Sequence, residues 1–202
     1  MRYLKKLGFV SVDMLYTEPK HYERKADTKF SLDEVVGVRQ VAGFEGQHSP
    51  DMTNDVLILG GGYDHNLMGR VILAKENARL VQLHSLPSLS ADMYHESILR
   101  LDRVGAGPSR QSEDQMAYSS ANDPFVTAAI LSEAYEEQAN RKKISNLYLC
   151  SLATKPQTVG FGLFYIRELT SIPASVIFPF FKEYSKETST GVGRSWVYPI
   201  VL

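Results

Sequence analysis

The 202-residue chain has one cysteine, Cys150, so no disulfide can form within it. A chain without that staple suits a reducing compartment, and a cytoplasmic protein is expected. Cys150 lies inside the apolar run Leu147 to Leu152, which predicts a buried core thiol rather than a nucleophile. Long hydrophobic runs are missing too. No stretch approaches the roughly 20 apolar residues of a membrane span, so no membrane partner is expected. Ser11 and Asp13 interrupt the amino-terminal segment before it could serve as a secretory signal. Charge of one sign is also lacking: 22 basic residues face 23 acidic ones. That balance argues against nucleic acid as the partner. The 11 tyrosines do not interleave with a basic stretch, so a stacking platform for single strands is not supported. Only a local stripe such as Arg141-Lys142-Lys143 with Lys5 and Lys6 would revive that reading. Paired cysteines and His-x-x-x-His spacing are absent, which gives zinc no support. No other metal or cofactor is specified by any motif.

What is present is ordinary globular material, 44% hydrophobic and spread along the whole length. Short apolar runs bounded by breakers predict buried strands at Phe9 to Tyr16, Asp55 to Leu59, Arg79 to His84, Asn146 to Leu152 and Ala174 to Phe180. Val35 to Val41 suits an edge or antiparallel strand, and Ser195 to Leu202, with Pro199, suits a sheet edge. Helical spacing marks His65 to Lys75 and Asp92 to Val104, the latter with Tyr94, Ile98 and Leu101 on one face. The clearest helix is Pro124 to Arg141, with Asp123 as cap and proline at the first helical position. Lys155 to Leu169 follows, with Thr154 and Gln157 spaced as a capping box. Thr17 to Asp33 and Gly105 to Asn122 read as long loops.

Alternating strands and helices on short connections predict parallel crossovers. Unbroken apolar strands agree, since a parallel sheet is covered on both faces. The expected fold is α/β: one domain over residues 1–202, a three-layer Rossmann-like sandwich with a mostly parallel sheet of five to seven strands. A chain that enters its first strand at once and closes on an apolar run suits a compact unit, or one completed by a partner or its own dimer.

Ligands of open α/β sheets lie outside the carboxyl ends of the strands. The segments expected there are distinctive: Tyr16 to Pro19, Gly60 to Asn66, Ser85 to Asp92, Ser119 to Pro124 and Ser151 to Gln157. Gly61 and Gly62 are the nearest thing to a phosphate cradle. The third glycine of the dinucleotide fingerprint is missing, however, and a tight turn explains the run equally well. Asp64 and His65 could serve as a base or a metal-ligand pair, and Asp64 is equally well placed as a helix cap. Ser88 could hold an anion through its hydroxyl. Asn122 and Asp123 could reach a sugar hydroxyl or a metal, although capping alone accounts for Asp123. Lys155 stands at a helix start, where a cation is electrostatically disfavoured, and would face an anion. Glu18 follows the first strand. Arg194, in the polar loop Lys186 to Arg194, is suited to bidentate anion recognition. His84 and His95 read as core-edge or solvated side chains.

The function expected from this is a hydrolase or transferase acting on a nucleotide-like or phosphorylated sugar ligand. Asp64, Asp123 and Lys155 would be catalytic. Glu18, Gly61, Gly62, His65, Ser88, Asn122 and Arg194 would bind the anionic small molecule. The alternative expectation is a non-catalytic subunit or scaffold, as a homo-oligomer or beside a partner subunit.

Overall fold

Two segments are buried along their full length, Val56–Gly60 (β4) and Leu147–Ser151 (β7). Such strands need cover on both faces, and they sit side by side at the middle of a six-stranded sheet. The computed structural model describes residues 4, 6–22, 35–107, 112, 115–183 and 188–201. These fall into two units, residues 33–182 and residues 1–32 with 183–202.

In the larger unit the sheet contains Gly37–Gln40 (β3), β4, Arg79–Ser85 (β5), Met116–Ser119 (β6), β7 and Ala174–Phe180 (β8). Their spatial order is β3-β8-β7-β4-β5-β6. Five run parallel, and β3 is antiparallel to β8 at the edge, as the pattern of Val35 to Val41 suggests. Among the described residues four helices connect them: His65–Ala74 (α1), Met93–Arg103 (α2), Pro124–Arg141 (α3) and Lys155–Phe164 (α4), which runs on into a wider turn, Tyr165–Leu169.

Alternation along each strand sends side chains to opposite faces. Leu57, Leu59, Tyr148, Cys150 and Ile177 pack with Met68 and Val71 of α1 and Leu101 of α2. Cys150 is fully buried, and burial pushes its thiol pKa far up, as expected of a core residue. On the opposite face a side chain at Gly60 would meet Phe161 of α4 at 3.2 Å. Gly160 explains how closely α3 and α4 pack: a methyl there would lie 2.6 Å from Cβ of Thr127 and 2.7 Å from the Pro124 carbonyl. The glycine thus serves a helix–helix approach.

Both expected caps form. Asp123 accepts from the amides of Phe125 and Val126, and Thr154 and Gln157 make a capping box. The buried side of α2 is Met93, Ser97, Arg100 and Leu101, a correction to the Tyr94–Ile98 stripe. Fully buried Arg100 is responsible, because its guanidinium donates to the Tyr63 carbonyl (2.6 Å) and to Glu96 (2.8 Å). At the amino ends of the strands, Asn146 donates to Asp55 (2.8 Å) and the Tyr148 hydroxyl donates to Asp55 at 3.3 Å. His48 stacks on Tyr148 and reaches Ser175 at 2.9 Å. Burial together with Asp55 pushes the Tyr148 hydroxyl up to about 12.

The smaller unit corrects the reading of the first strand. Ser11–Thr17 (β1) pairs antiparallel with Ser195–Val201 (β10), apart from the six-stranded sheet. Its burial alternates, whereas β4 and β7 are buried throughout. His21–Tyr22 (β2) pairs with Ser189–Thr190 (β9), so part of the polar loop before Arg194 is strand. The long loop expected from Thr17 to Asp33 lies partly outside the described residues. The one expected from Gly105 to Asn122 contains β6, an edge strand too short to leave a periodic signal. No described helix is long and apolar enough to cross a membrane.

Candidate functional site

From β4 the chain adds β5 and then β6 on one side, then returns with β7 and β8 on the other. The direction of winding therefore reverses between β4 and β7. In open parallel sheets the crevice at such a reversal is where ligands sit. Two segments border it: Gly60-Gly61-Gly62, leading into α1, and Leu152-Ala153-Thr154, leading into α4.

The glycines here have packing duties. The Gly61 amide donates to the Leu83 carbonyl at 3.0 Å and extends the β4–β5 ladder. The Leu152 amide donates to Gly60 (3.0 Å), which does the same between β4 and β7. A side chain on Gly62 would run into the Leu152 carbonyl, so this residue lets the two border segments close on each other. Gly61 is different, since a methyl there would meet only Leu101 at 3.5 Å and Leu83 at 3.7 Å, ordinary contacts.

Asp64 caps α1, accepting from the Leu67 amide at 3.1 Å. His65 opens that helix. Burial first, then the positive Arg103 and Arg100, hold its imidazole below the ordinary range, against the pull of Asp64. Lys155 is exposed at the start of α4, which follows β7, the strand on the other side of the reversal. These residues and Gly61 and Gly62 follow adjacent strands. Ser88 follows β5 and donates to the Ser90 carbonyl at 2.8 Å. Asn122 and Asp123 follow β6, two strands from the reversal; Asn122 accepts from Ser120 at 2.7 Å.

Glu18 and Arg194 do not follow strands of the larger sheet, because β1 pairs with β10 in a sheet of its own. They belong to the smaller unit and pair with each other, Arg194 Nε to Glu18 Oε1 at 2.7 Å. The Glu18 amide also donates to the Arg194 carbonyl (2.9 Å), and the Gly193 amide to the Glu18 carbonyl (2.8 Å). Of five expected rim segments, four follow strands of the parallel sheet.

Two residues matter more than their sequence context suggests. Gln157, beyond its capping duty, is fully buried and accepts from Ser85 at 2.8 Å while donating to Ser119 at 3.0 Å. It thereby ties the ends of β5 and β6 to the start of α4, and Thr154 adds a hydrogen bond to the Ala121 carbonyl. His84, expected at the core edge or in solvent, is 1% exposed. It stacks on Tyr118 at 5.5 Å and meets Tyr94 edge-on at 6.4 Å. Among the described residues neither of its ring nitrogens has a hydrogen-bond partner, and burial pulls its pKa down to about 4. Only the capping role of Gln157 leaves a local signal; its ties to Ser85 and Ser119, and the burial of His84, involve elements distant in sequence.

Among the described residues no group of three His, Cys, Asp or Glu side chains is placed to hold a metal ion. Comparison with protein-family models, curated proteins and solved structures finds no match to this chain.

Proposed function

We propose that the chain is a small-molecule-binding α/β protein of the three-layer Rossmann-like kind, working in a cytoplasmic setting as a hydrolase or transferase. Its ligand is an anionic, nucleotide-like or phosphorylated sugar molecule in the crevice between β4 and β7. The observation that carries the reading is the reversal of strand order at that point, with a glycine turn on one border and an exposed lysine on the other. Lys155 would meet the anion. Asp64 would act as acid or base beyond its capping duty, and His65, held neutral near pH 7, would serve as a hydrogen-bonding contact.

The test is a thermal-shift panel of ADP, AMP, ribose 5-phosphate and glucose 6-phosphate on the purified chain. A ligand present at 100 times its Kd adds about 2.7 kcal/mol, which for a chain of this size is about 5–10 °C. The expected result is such a shift from at least one compound, at least halved by Lys155→Ala. Asp64→Asn keeps a capping oxygen, so α1 should hold while any turnover falls by about 10²–10⁴. A panel in which no compound moves the midpoint would overturn the reading.

A second reading, a subunit that docks on a copy of itself or on a partner, is favoured by Leu15, Val197 and Val201. All three are exposed and share one face of the β1–β10 ribbon. Light scattering at micromolar concentration is expected to show a dimer or larger species if that face self-associates. A monodisperse monomer removes the self-docking form of the reading.

A further inference from the structure

The carboxyl end of β5 carries polar atoms that the reading above leaves unused. The β4–β5 register sets Gln82 beside Leu59. Alternation then puts Gln82 and His84 on the same face as Leu57 and Leu59, the face covered by α1 and α2. Gln82 and His84 are each 1% exposed. The Gln82 amide nitrogen donates to the Ala106 carbonyl at 2.6 Å, but its oxygen has no partner. Both His84 nitrogens are likewise unmet, so three of the five buried, unpartnered side-chain atoms among the described residues lie on this one strand face. A neutral imidazole carries one donor and one acceptor. Native folds rarely leave such groups buried and unmet except where another molecule supplies the partner or the site has a function.

The surroundings of His84 have a definite chemistry. Tyr118, its register partner on β6, lies over the ring with an interplanar angle of 29°. Tyr94 of α2 meets the His84 ring edge-on, with centroids 6.4 Å apart. Tyr118 is itself 40% exposed, so the ring that covers His84 already meets solvent. Two aromatic faces beside a donor–acceptor group match a flat heterocycle joined to hydroxyls. Position agrees with composition. In doubly wound sheets the hydroxyls of a ribose are read at the end of the second strand, about 20 residues after the glycine turn. β5 is the second parallel strand here, and His84 occupies that place where an acidic residue is usual.

We infer that His84 is the hydrogen-bonding residue for a nucleoside, its imidazole engaging a ribose hydroxyl or a base edge when Tyr118 swings aside, with Tyr118 and Tyr94 as stacking faces for the base. The inference rests on the nucleotide-like reading above and narrows its ligand class to nucleosides, held at β5 as well as at the crevice.

The experiment is calorimetric titration of the full chain with adenosine, guanosine, cytidine and uridine, which lack phosphate, and separately with ribose 5-phosphate. Wild type is expected to bind at least one nucleoside. His84→Phe, which keeps the flat ring and removes both nitrogens, is expected to weaken it tenfold or more. His84→Gln should retain part of the affinity, and Tyr118→Ala should weaken it. The His84 imidazole signals, identified by their absence from the His84→Phe spectrum, should shift on titration. Should that variant fail to fold, His84→Gln and the shift of the wild-type signals against unmoved signals elsewhere decide the matter. Equal affinity in wild type and His84→Phe, or no nucleoside bound at all, overturns the inference. Binding of ribose 5-phosphate alone leaves the anionic crevice standing while this assignment falls. Nucleoside binding that depends on His84, with nucleotide binding indifferent to Lys155→Ala, does the reverse.

Discussion

Between pH 6.5 and pH 4 the wild-type chain is expected to lose about 3 kcal/mol of stability that a His84→Phe variant keeps. The buried imidazole titrates at about 4 in the folded chain against an ordinary value of 6.5. Between those values the unfolded chain holds a proton that the folded one refuses, so stability rises with pH across the window. The contribution is fully present above 6.5, falls away as the pH drops toward 4, and changes no further below it. The gap corresponds to about 3 kcal/mol, or about 6–12 °C for a chain of this length. Other groups titrate in the same range, so the informative quantity is the difference between wild type and variant. At pH 7.5 His84→Phe should lie within about 1 kcal/mol of wild type or above it, because removing both unmet nitrogens offsets any misfit of the ring. Urea denaturation at half-unit pH steps gives both curves. If they run parallel, His84 is either solvated or partnered in solution.

The two inner glycines of the turn after β4 should behave in opposite ways. Gly62→Ala is expected to cost about 3 kcal/mol or more, since its methyl would be forced into a backbone carbonyl, that of Leu152, and neither border segment can yield without breaking a ladder hydrogen bond. Gly61→Ala should be neutral, or stabilising by about 0.5 kcal/mol. Its backbone is not in the left-handed region and the new methyl finds ordinary contacts, while the unfolded chain loses freedom. The pair also bears on ligand binding. If a ligand approaches the Gly61 backbone, Gly61→Ala keeps the fold and loses affinity. Chemical denaturation of both variants, followed by the nucleotide panel on Gly61→Ala, measures each effect. Equal destabilisation by the two substitutions would mean that the turn has a geometry other than the one described.

The amino-acid order by itself determined the local elements of the larger unit. Unbroken apolar runs mark β4 and β7, because strands covered on both faces admit no polar alternation. Asp123-Pro124 marks the start of α3, and Thr154 with Gln157 the start of α4, because caps satisfy amides only a few residues away. Three of the rim segments follow from those boundaries, and the one after Ser85 from the end of the apolar run at β5. Tertiary structure alone decided the rest. A strand such as Ser11–Thr17 looks the same whether it joins a parallel sheet or a ribbon, and its partner turned out to be β10 rather than a strand of the larger sheet. Arg194 found its partner 176 residues away, where no local pattern can register it. The edge strand β6 is too short for periodicity to reveal, yet it supplies Tyr118. That ring and Tyr94 turn an unremarkable histidine into a buried one with two unmet nitrogens. Local order follows from hydrogen bonds and contacts within a few residues. The reversal of strand order between β4 and β7 and the burial of His84 depend instead on which strands become neighbours, and long-range packing sets that.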